Sequence, residues 1–230
     1  MDVETALRTR RSIRQFLPDP IPEATVRELL DAARWAPSGG NLQPWRVIVL
    51  TGAPRAAVSE LAQRVLWSDP RGEPTPYPVY PPELWEPYRS RRYVLGEALY
   101  AVLGIPREDR GARLAQFGRN YDFFGAPVAL FPILDERMGH GQWGHLGMFL
   151  QSLALAATAR GLGTCMQEAW GVLRPSLGRH LGLAEHEVVT CGVALGRPDP
   201  LAPVNELRST RVPVDEFATF RGFDDPPRGA

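Results

Sequence analysis

The sequence predicts a globular protein of the α/β or α+β class, with one sheet and helices packed on it. Apolar runs at 45–50, 126–134 and 187–195 indicate strands, and the first of these is expected to be buried. The segments between them carry apolar residues at helical spacing. Alternating strands and helices favour this layered architecture. With 230 residues, 44% hydrophobic and 23% charged, the chain can bury its own core as one large domain or two small ones.

Element boundaries follow from apolar spacing and from turn residues. The spacing within 26–33 predicts a helix that begins near Pro22, and Gly161 is well placed at the C′ position that ends a later helix. Six prolines at 68–82 exclude a helix there and indicate a surface loop or arm. In chain order, helices are expected at about 22–33, 55–66, 83–103, 107–118, 146–157 and 173–181, with a short extended segment at 164–167. From residue 197 the chain is proline-rich and is expected to form an extended tail.

Composition excludes several kinds of chemistry. All 26 basic residues are arginine, so no lysine can form a Schiff base or complete a Walker-type phosphate loop. Any bound anion must be held by arginine, backbone N–H groups, hydroxyls or amides. The formal net charge is zero, which argues against nucleic acid as a partner.

The sequence also indicates a soluble, cytoplasmic protein. Cys165 and Cys191 form no CxxC motif and suit a reducing compartment. The first twelve residues lack the apolar region of a signal peptide, and the longest apolar stretch is far too short to span a membrane. The four histidines have no spacing typical of a zinc site, so no metal is expected.

Two arginine groups are candidates for phosphate binding. Arg8, Arg10, Arg11 and Arg14 lie with Ser12 within seven residues, and arginine offers a permanently charged fork that matches phosphate. The alternative is a solvated basic N-terminus. Arg208 and Arg211 lie far along the chain, and composition does not decide whether the two groups meet on one phosphate or are unrelated.

Two glycine-containing segments have both a functional and an ordinary interpretation. The segment 36–45, APSGGNLQPW, offers flexible backbone and polar side chains to a ligand, or is simply a helix-to-strand loop. The segment 161–165, GLGTC, follows a helix and precedes an extended segment, which is the wrong order for a dinucleotide-binding fingerprint. Cys165 has no histidine near it in sequence and is better explained as a buried apolar residue than as a nucleophile.

Taken together, these segments resemble the FMN-dependent nitroreductase family. The similarity is carried by RRSIRQF and APSGGNLQPWRVIVL near the N-terminus, by QSLALAATARGLGT in the centre, and by VALGRPDP and LRSTRVPVDEF in the tail. It covers nearly the whole chain except about 67–119, which is interpreted as a variable insertion within a single domain over 1–230. The proline- and tyrosine-rich part of that insertion and YDFFGAPV resemble the branch that includes nitrobenzoate reductases.

The resemblance implies a nitroreductase-like α+β fold and a set of cofactor contacts. The fold has a central, mostly antiparallel sheet flanked by helices, and an intertwined homodimer with an extended C-terminal arm holds FMN at its interface. The arginine group at 10–14, with Ser12, matches contacts to the FMN phosphate and ring. The segment 37–43 matches one donated by the partner chain, and 165–168 matches the strand along the flavin. The expected cofactor-binding residues are Arg10, Arg11, Ser12, Arg14, Pro37, Ser38, Gly39, Asn41, Gln43, Cys165, Met166, Gln167, Glu168, Arg208 and Arg211.

The resemblance also implies the reaction. NAD(P)H would reduce FMN, and a nitroaromatic or similar electron-poor acceptor would then be reduced in a second, ping-pong step, so no catalytic side chain is obligatory. The aromatic residues Trp85, Tyr88, Tyr93, Phe123 and Phe124 are candidates to form the acceptor site, or else serve core and dimer packing. The alternatives are a reductive dehalogenase or an enone or quinone reductase on the same fold, and a flavin-binding or storage protein with little turnover.

Overall fold

The computed structural model of the chain describes residues 1–75 and 77–223. Its strands form one sheet in which β2 is central, with β1 on one side and β4 and β5 on the other, and β3 beyond β5. All of these pairings are antiparallel, which confirms the predicted α+β class with a mostly antiparallel sheet. The strands are β1 (Arg46–Leu50), β2 (Val128–Asp135), β3 (Gly163–Gln167), β4 (Glu187–Val189) and β5 (Gly192–Gly196).

Helices cover both faces of this sheet. Within the described residues they are α1 (Val3–Thr9), α2 (Glu23–Ala33), α3 (Gly52–Ser68), α4 (Tyr88–Val102), α5 (Arg110–Gly118), α6 (Gly141–Ala159) and α7 (Arg174–Leu181). Helices α2 and α6 pack on one face, and α3 and α7 pack on the other. The sheet therefore lies between two apolar layers.

The central strand β2 explains why this sheet is apolar on both sides. Ala129, Phe131 and Ile133 belong to the core layer that contains α3, whereas Val128 and Leu130 belong to the layer that contains α6. Neighbouring residues of a strand point to opposite faces, so a strand buried on both faces is a continuous apolar run. That run was recognisable in the sequence.

One predicted strand is wrong: 187–195 is two strands, not one. The break lies opposite Pro132 in β2, which has no N–H to donate to the ladder. Both the N–H and the hydroxyl of Thr190 donate to the Pro132 carbonyl, at 3.0 and 2.9 Å. Thr190 and Cys191 therefore leave the regular pairing between β4 and β5.

Three further expectations need correction. Strand β1 is an edge strand that pairs only with β2 among the described strands, and Val49 is 38% exposed in this chain, so β1 is not fully buried. The helix expected at 83–103 begins only at Tyr88, directly after Pro87. The helix α1 was missed; Asp2 caps it by accepting a hydrogen bond from the Thr5 N–H at 2.9 Å.

The proline-rich segment is fixed to the domain by an arginine of α7. Arg174 donates hydrogen bonds to Tyr77 O at 2.6 Å and Thr75 Oγ1 at 2.8 Å, and also to Val189 O at 2.7 Å and Thr190 O at 3.2 Å. Burial lowers the pKa of Arg174. This side chain ties the start of the insertion to the sheet.

Residues 1–75 and 77–223 contain neither a membrane-spanning helix nor a metal-binding cluster. None of the helices there combines the length and the apolar character that a membrane crossing requires. The same residues hold no cluster of three or more His, Cys, Asp or Glu side chains suited to a metal ion.

Candidate functional site

The candidate site begins with residues 10–17, the segment that follows α1. This segment lies along the edge of the sheet. The Ile13 N–H donates to the Thr164 carbonyl, and the Leu17 N–H donates to the Arg197 carbonyl, both at 2.9 Å. A Cβ on Gly163 would lie 2.5 Å from Ile13 Cγ1, so only glycine permits this approach. Ile13 and Phe16 enter the core, which leaves the arginines of this segment at the surface of the sheet edge.

A buried asparagine of the tail is hydrogen-bonded to this segment. Asn205 Oδ1 accepts from the Arg14 N–H at 2.9 Å, and its Nδ2 donates to Gln15 O at 2.8 Å and to Asp199 O at 3.0 Å. Asn205 is only 2% exposed. Asn205 cannot be recognised from the sequence, because a single asparagine in a proline-rich tail carries no local signal of burial.

Five arginines of the two groups line one cleft, whereas Ser12 and Arg14 are not part of its lining. Its volume is about 520 Å³, and it lies between α1, the segment after it and the tail. The lining residues are Arg8, Arg10, Arg11, Arg208 and Arg211, together with Glu4, Leu7, Leu207 and Ser209. The structure therefore brings together side chains that are about 200 positions apart in the sequence, although composition left this open.

The cleft carries cationic groups without a protein partner. Arg10 Nε and Arg11 Nη1 are buried and make no hydrogen bond to any residue that the structure describes, although burial of such a donor is costly when it is unpaired. Arg11 Nη2 lies 3.4 Å from a Glu206 carboxylate oxygen, and Arg208 Nη1 donates to Thr9 O at 3.4 Å. Arg211 Nη1 bonds its own turn, at 2.7 Å to Ser209 Oγ. Five guanidinium groups with one lining carboxylate suit a phosphate.

The loop at 37–43 is held in an unusual conformation. Gly40, Asn41 and Gln43 have φ of 58°, 56° and 49°, in the left-handed region. The Gln43 N–H donates to Ser38 Oγ at 2.9 Å, and the Gly39 N–H donates to His145 Nε2 of α6 at 3.3 Å. None of these residues belongs to the lining of the arginine cleft, so a single chain does not bring the two predicted cofactor segments together.

The segment 165–168 presents backbone rather than reactive side chains. Cys165 is 2% exposed in the core, and burial raises the pKa of its thiol. Gln167 is also buried; its Nε2 donates to Asn120 O at 2.8 Å while its Oε1 accepts no hydrogen bond. Met166 is half-buried, and Glu168 is exposed where the strand ends.

The structure excludes two of the five aromatic residues from an open acceptor site. Phe123 and Phe124 are 0% and 2% exposed, and Phe123 stacks on Trp170 with ring centroids 4.8 Å apart. Arg55 lies over Phe123 and Arg119 lies over Phe124. These rings are enclosed in the core, so their predicted role as walls of an acceptor site is corrected to packing.

The other three aromatic residues are exposed on the insertion. Trp85, Tyr88 and Tyr93 are 59%, 49% and 50% exposed, and Trp85 meets Tyr88 edge to face at 5.6 Å. Trp85 and Tyr93 line a second cavity of about 760 Å³ between residues 81–85 and α4. An open cavity with aromatic walls is a suitable place for a planar ligand.

Comparison with known proteins identifies the family. The family model described as "Nitroreductase family" matches residues 7–197. The chain belongs to the nitroreductase family. Among its relatives, a 4-nitrobenzoate reductase of Pseudomonas putida is 38% identical over 223 residues, which cover 97% of both chains.

Solved nitroreductase structures agree with this fold. The FMN and NADPH-dependent nitroreductase NfnB from Sphingopyxis sp. strain HMH has a TM-score of 0.93 and 42% identity, and the match covers 97% of this chain and 100% of that one. NfnB from Mycobacterium smegmatis, solved in complex with NADPH, has a TM-score of 0.88 and 30% identity, over 95% and 97% of the two chains. These two matches cover 97% and 95% of the present chain, so they include most of its insertion at about 67–119.

Proposed function

We propose that this protein is an FMN-dependent oxidoreductase that uses NAD(P)H to reduce nitroaromatic or similar electron-poor acceptors. Membership of the nitroreductase family and 38% identity to a 4-nitrobenzoate reductase support the activity. The observation that carries the proposal is the arginine cleft, where Arg10 Nε and Arg11 Nη1 are buried without a partner. A phosphate group would supply the acceptors that these donors lack.

The residues present fit an FMN phosphate. Arg10 and Arg11 line the cleft and would hold the phosphate from the segment after α1, with Ser12 as the next residue along the chain. Arg211 would reach it from the tail, with Arg208 beside it. Because the chain has no lysine, every cation in this cleft is a guanidinium, whose planar fork of N–H donors matches phosphate. The chemistry that this cofactor supplies is hydride transfer, from NAD(P)H and then to the acceptor, in a two-step (ping-pong) sequence.

Arg14 is the cation that we assign to the flavin ring. Its backbone N–H is fixed by Asn205 Oδ1 at 2.9 Å, and its Nη1 lies 3.4 Å from the Ser12 carbonyl. A fixed positive charge stabilises negative charge that develops during reduction, and it needs no reorganisation at that moment. The segment 165–168 would contribute backbone and the free Oε1 of Gln167.

We infer that the active unit is an intertwined homodimer. The loop at 37–43 lies outside the arginine cleft of its own chain, which fits a site that takes this loop from the partner. Helix α6 buries Leu146, Phe149 and Leu153 but leaves Met148 47% exposed on another side, as expected for a helix that a partner covers. Exposed Phe217 and Phe220 would make the tail an arm that packs on that partner.

The remaining parts of the proposal concern organisation and compartment. One sheet with a core layer on each face supports a single domain over 1–230, with the insertion at about 67–119. The buried thiols of Cys165 and Cys191 are unpaired, which is compatible with a reducing cytoplasm.

Two measurements test this function. Purified protein should be yellow, with absorbance near ~450 nm, and should release FMN on denaturation. It should also oxidise NADH or NADPH when a nitroaromatic is added. A colourless protein that takes up no added FMN would overturn the proposal.

An acceptor panel separates the alternatives. Faster turnover with halophenols or with quinones than with nitroaromatics would assign the enzyme to reductive dehalogenation or to enone or quinone reduction. Bound FMN without steady NAD(P)H oxidation on any acceptor would identify a flavin-binding or storage protein.

A further inference from the structure

The cavity on the insertion contains both aromatic walls and charged side chains. It is lined by Trp85 and Tyr93, by the prolines at 81–82, and by Arg89, Arg92, Glu83 and Glu97. Tyr93 is held in place because its hydroxyl accepts a hydrogen bond from Arg107 Nη1 at 2.8 Å.

Two of the four lining charges are already paired with residues outside the cavity. Arg89 Nε lies 2.8 Å from Glu86 Oε1. Glu97 accepts two hydrogen bonds from Arg113, at 2.7 and 3.2 Å, and this guanidinium holds the pKa of Glu97 below its usual range. Their charges are largely cancelled by these partners.

Arg92 is a cation that the described residues leave without a carboxylate. No ion pair involves it within residues 1–75 and 77–223, and its guanidinium lies 4.3 Å from the centre of the Tyr80 ring. Stacking uses the face of a guanidinium and leaves the N–H groups on its edge free for a planar anion. Arg107, behind Tyr93, is likewise without a carboxylate partner in that part of the chain.

One carboxylate in the cavity, that of Glu83, should repel the kind of anion that Arg92 attracts. Glu83 lines the cavity and forms no ion pair among the described residues. It is exposed, so water screens its charge. Arg92 and Glu83 should therefore have opposite effects on the binding of a charged ligand.

Helix α4, which forms one wall of this cavity, contacts the tail through an ion pair. Arg91 of α4 lies 3.6 Å from Glu216, and the tail that carries Glu216 also carries Arg208 and Arg211 of that cleft. Helix α4 therefore contacts, through one ion pair, the same tail that contributes Arg208 and Arg211 to the arginine cleft.

We propose that this cavity binds aromatic acceptors that carry a carboxylate, and that Arg92 selects them over neutral acceptors. The aromatic walls would take the ring, and the free edge of the Arg92 guanidinium would take the carboxylate. This inference rests on the proposed nitroaromatic reduction and names its substrate class. Arg92 is a specificity-determining residue and takes no part in hydride transfer.

The test compares an anionic acceptor with a neutral acceptor of nearly the same shape. The FMN-loaded enzyme is assayed with 4-nitrobenzoate and 4-nitrobenzamide, and the ratio of the two kcat/KM values is recorded for the wild type and for each variant. A ratio from one preparation does not depend on the fraction of active enzyme. A variant that folds incompletely therefore still gives a usable result.

Three substitutions give distinct expectations. Arg92→Gln should lower the benzoate-to-benzamide ratio by about fivefold, the upper end of the range for charge pairs between exposed groups, because Arg92 is exposed. Glu83→Gln should raise the ratio by about twofold, because an exposed repulsive charge is removed. Arg64→Gln is the matched control: it removes an arginine of α3 outside the cavity and should leave the ratio unchanged.

The possible outcomes separate this inference from the function on which it rests. If neither acceptor is reduced by the wild type, the proposed function fails. If both are reduced but Arg92→Gln leaves the ratio within twofold of wild type, or shifts it no more than Arg64→Gln does, the acceptor inference is overturned. If Arg92→Gln yields no folded protein, an unchanged or lowered ratio for Glu83→Gln overturns it instead.

Discussion

Replacing Arg10 with methionine should weaken FMN binding without destabilising the protein that lacks FMN. Arg10 lines the arginine cleft, and its Nε is buried without a hydrogen-bond acceptor. Methionine keeps the apolar stem of the side chain and removes the guanidinium. The substitution therefore separates the binding of an anion from the packing of the cleft.

The two expected effects have opposite signs. Loss of a charge-assisted hydrogen bond to phosphate should weaken binding by about 1.5–3 kcal/mol, which raises the Kd of FMN by about 10-fold to 150-fold. In the protein without FMN, the unpaired donor costs about 1–3 kcal/mol, and part of that cost disappears with it. We expect the free energy of unfolding of the apoprotein to stay the same or to rise by up to about 1 kcal/mol.

Urea unfolding of the apoprotein and FMN titration by flavin fluorescence measure these effects separately. At a fixed FMN concentration near a thousand times the original Kd, ligand stabilisation should fall from about 4.1 to about 2.7 kcal/mol for a tenfold loss of affinity. Arg27→Met is the control, because Arg27 pairs with Glu23 on the exposed side of α2. An unchanged FMN affinity, or an apoprotein destabilised by more than about 1 kcal/mol, would refute the reasoning about this unpaired donor.

Three other predictions concern the tail, the insertion and alkaline pH. Arg211→Ala should weaken FMN binding by about 1.5–3 kcal/mol in the same titration, and unchanged FMN occupancy would contradict its assignment to the phosphate. Arg174→Met should lower the free energy of unfolding, measured in urea, by about 3 kcal/mol, because Tyr77 O and three other acceptors lose their donor. A loss below about 1 kcal/mol would show that other contacts hold the insertion. Burial raises the pKa of Tyr121 from 10.0 to about 12, so the folded state holds this proton more tightly than the unfolded chain. The resulting stability is complete below pH 10 and is lost as the pH rises towards 12, and Tyr121→Phe should reduce the loss seen in urea unfolding between these pH values.

The sequence predicted those parts of the fold that depend on local pattern. The apolar run of β2 and the glycine that ends α6 have short-range causes, and both lie where they were expected. The split between β4 and β5 depends on Pro132, which is far from Thr190 in sequence and becomes its neighbour only in the sheet. No inspection of 187–195 alone reveals that break.

The candidate site shows the same division between local and distant causes. Arg10 and Arg11 stand out by composition and by resemblance to the family, and they line the cleft. The role of Asn205 in fixing Arg14 depends on where the tail returns, which no local pattern records. Phe123 and Phe124 were placed in the acceptor site by aromatic character alone, and that character serves the core equally well.

Because Arg10 and Arg211 line one cleft, this cleft can be completed only late in the synthesis of the chain. These residues are separated by about 200 positions, so translation at about 5–20 residues per second makes them roughly 10–40 seconds apart. Until the tail has emerged, the early arginines have only part of their eventual surroundings. If the cleft holds the FMN phosphate as proposed, the cofactor would meet its complete set of cations only on an almost finished chain. It would then stabilise the native state without guiding the first steps of folding.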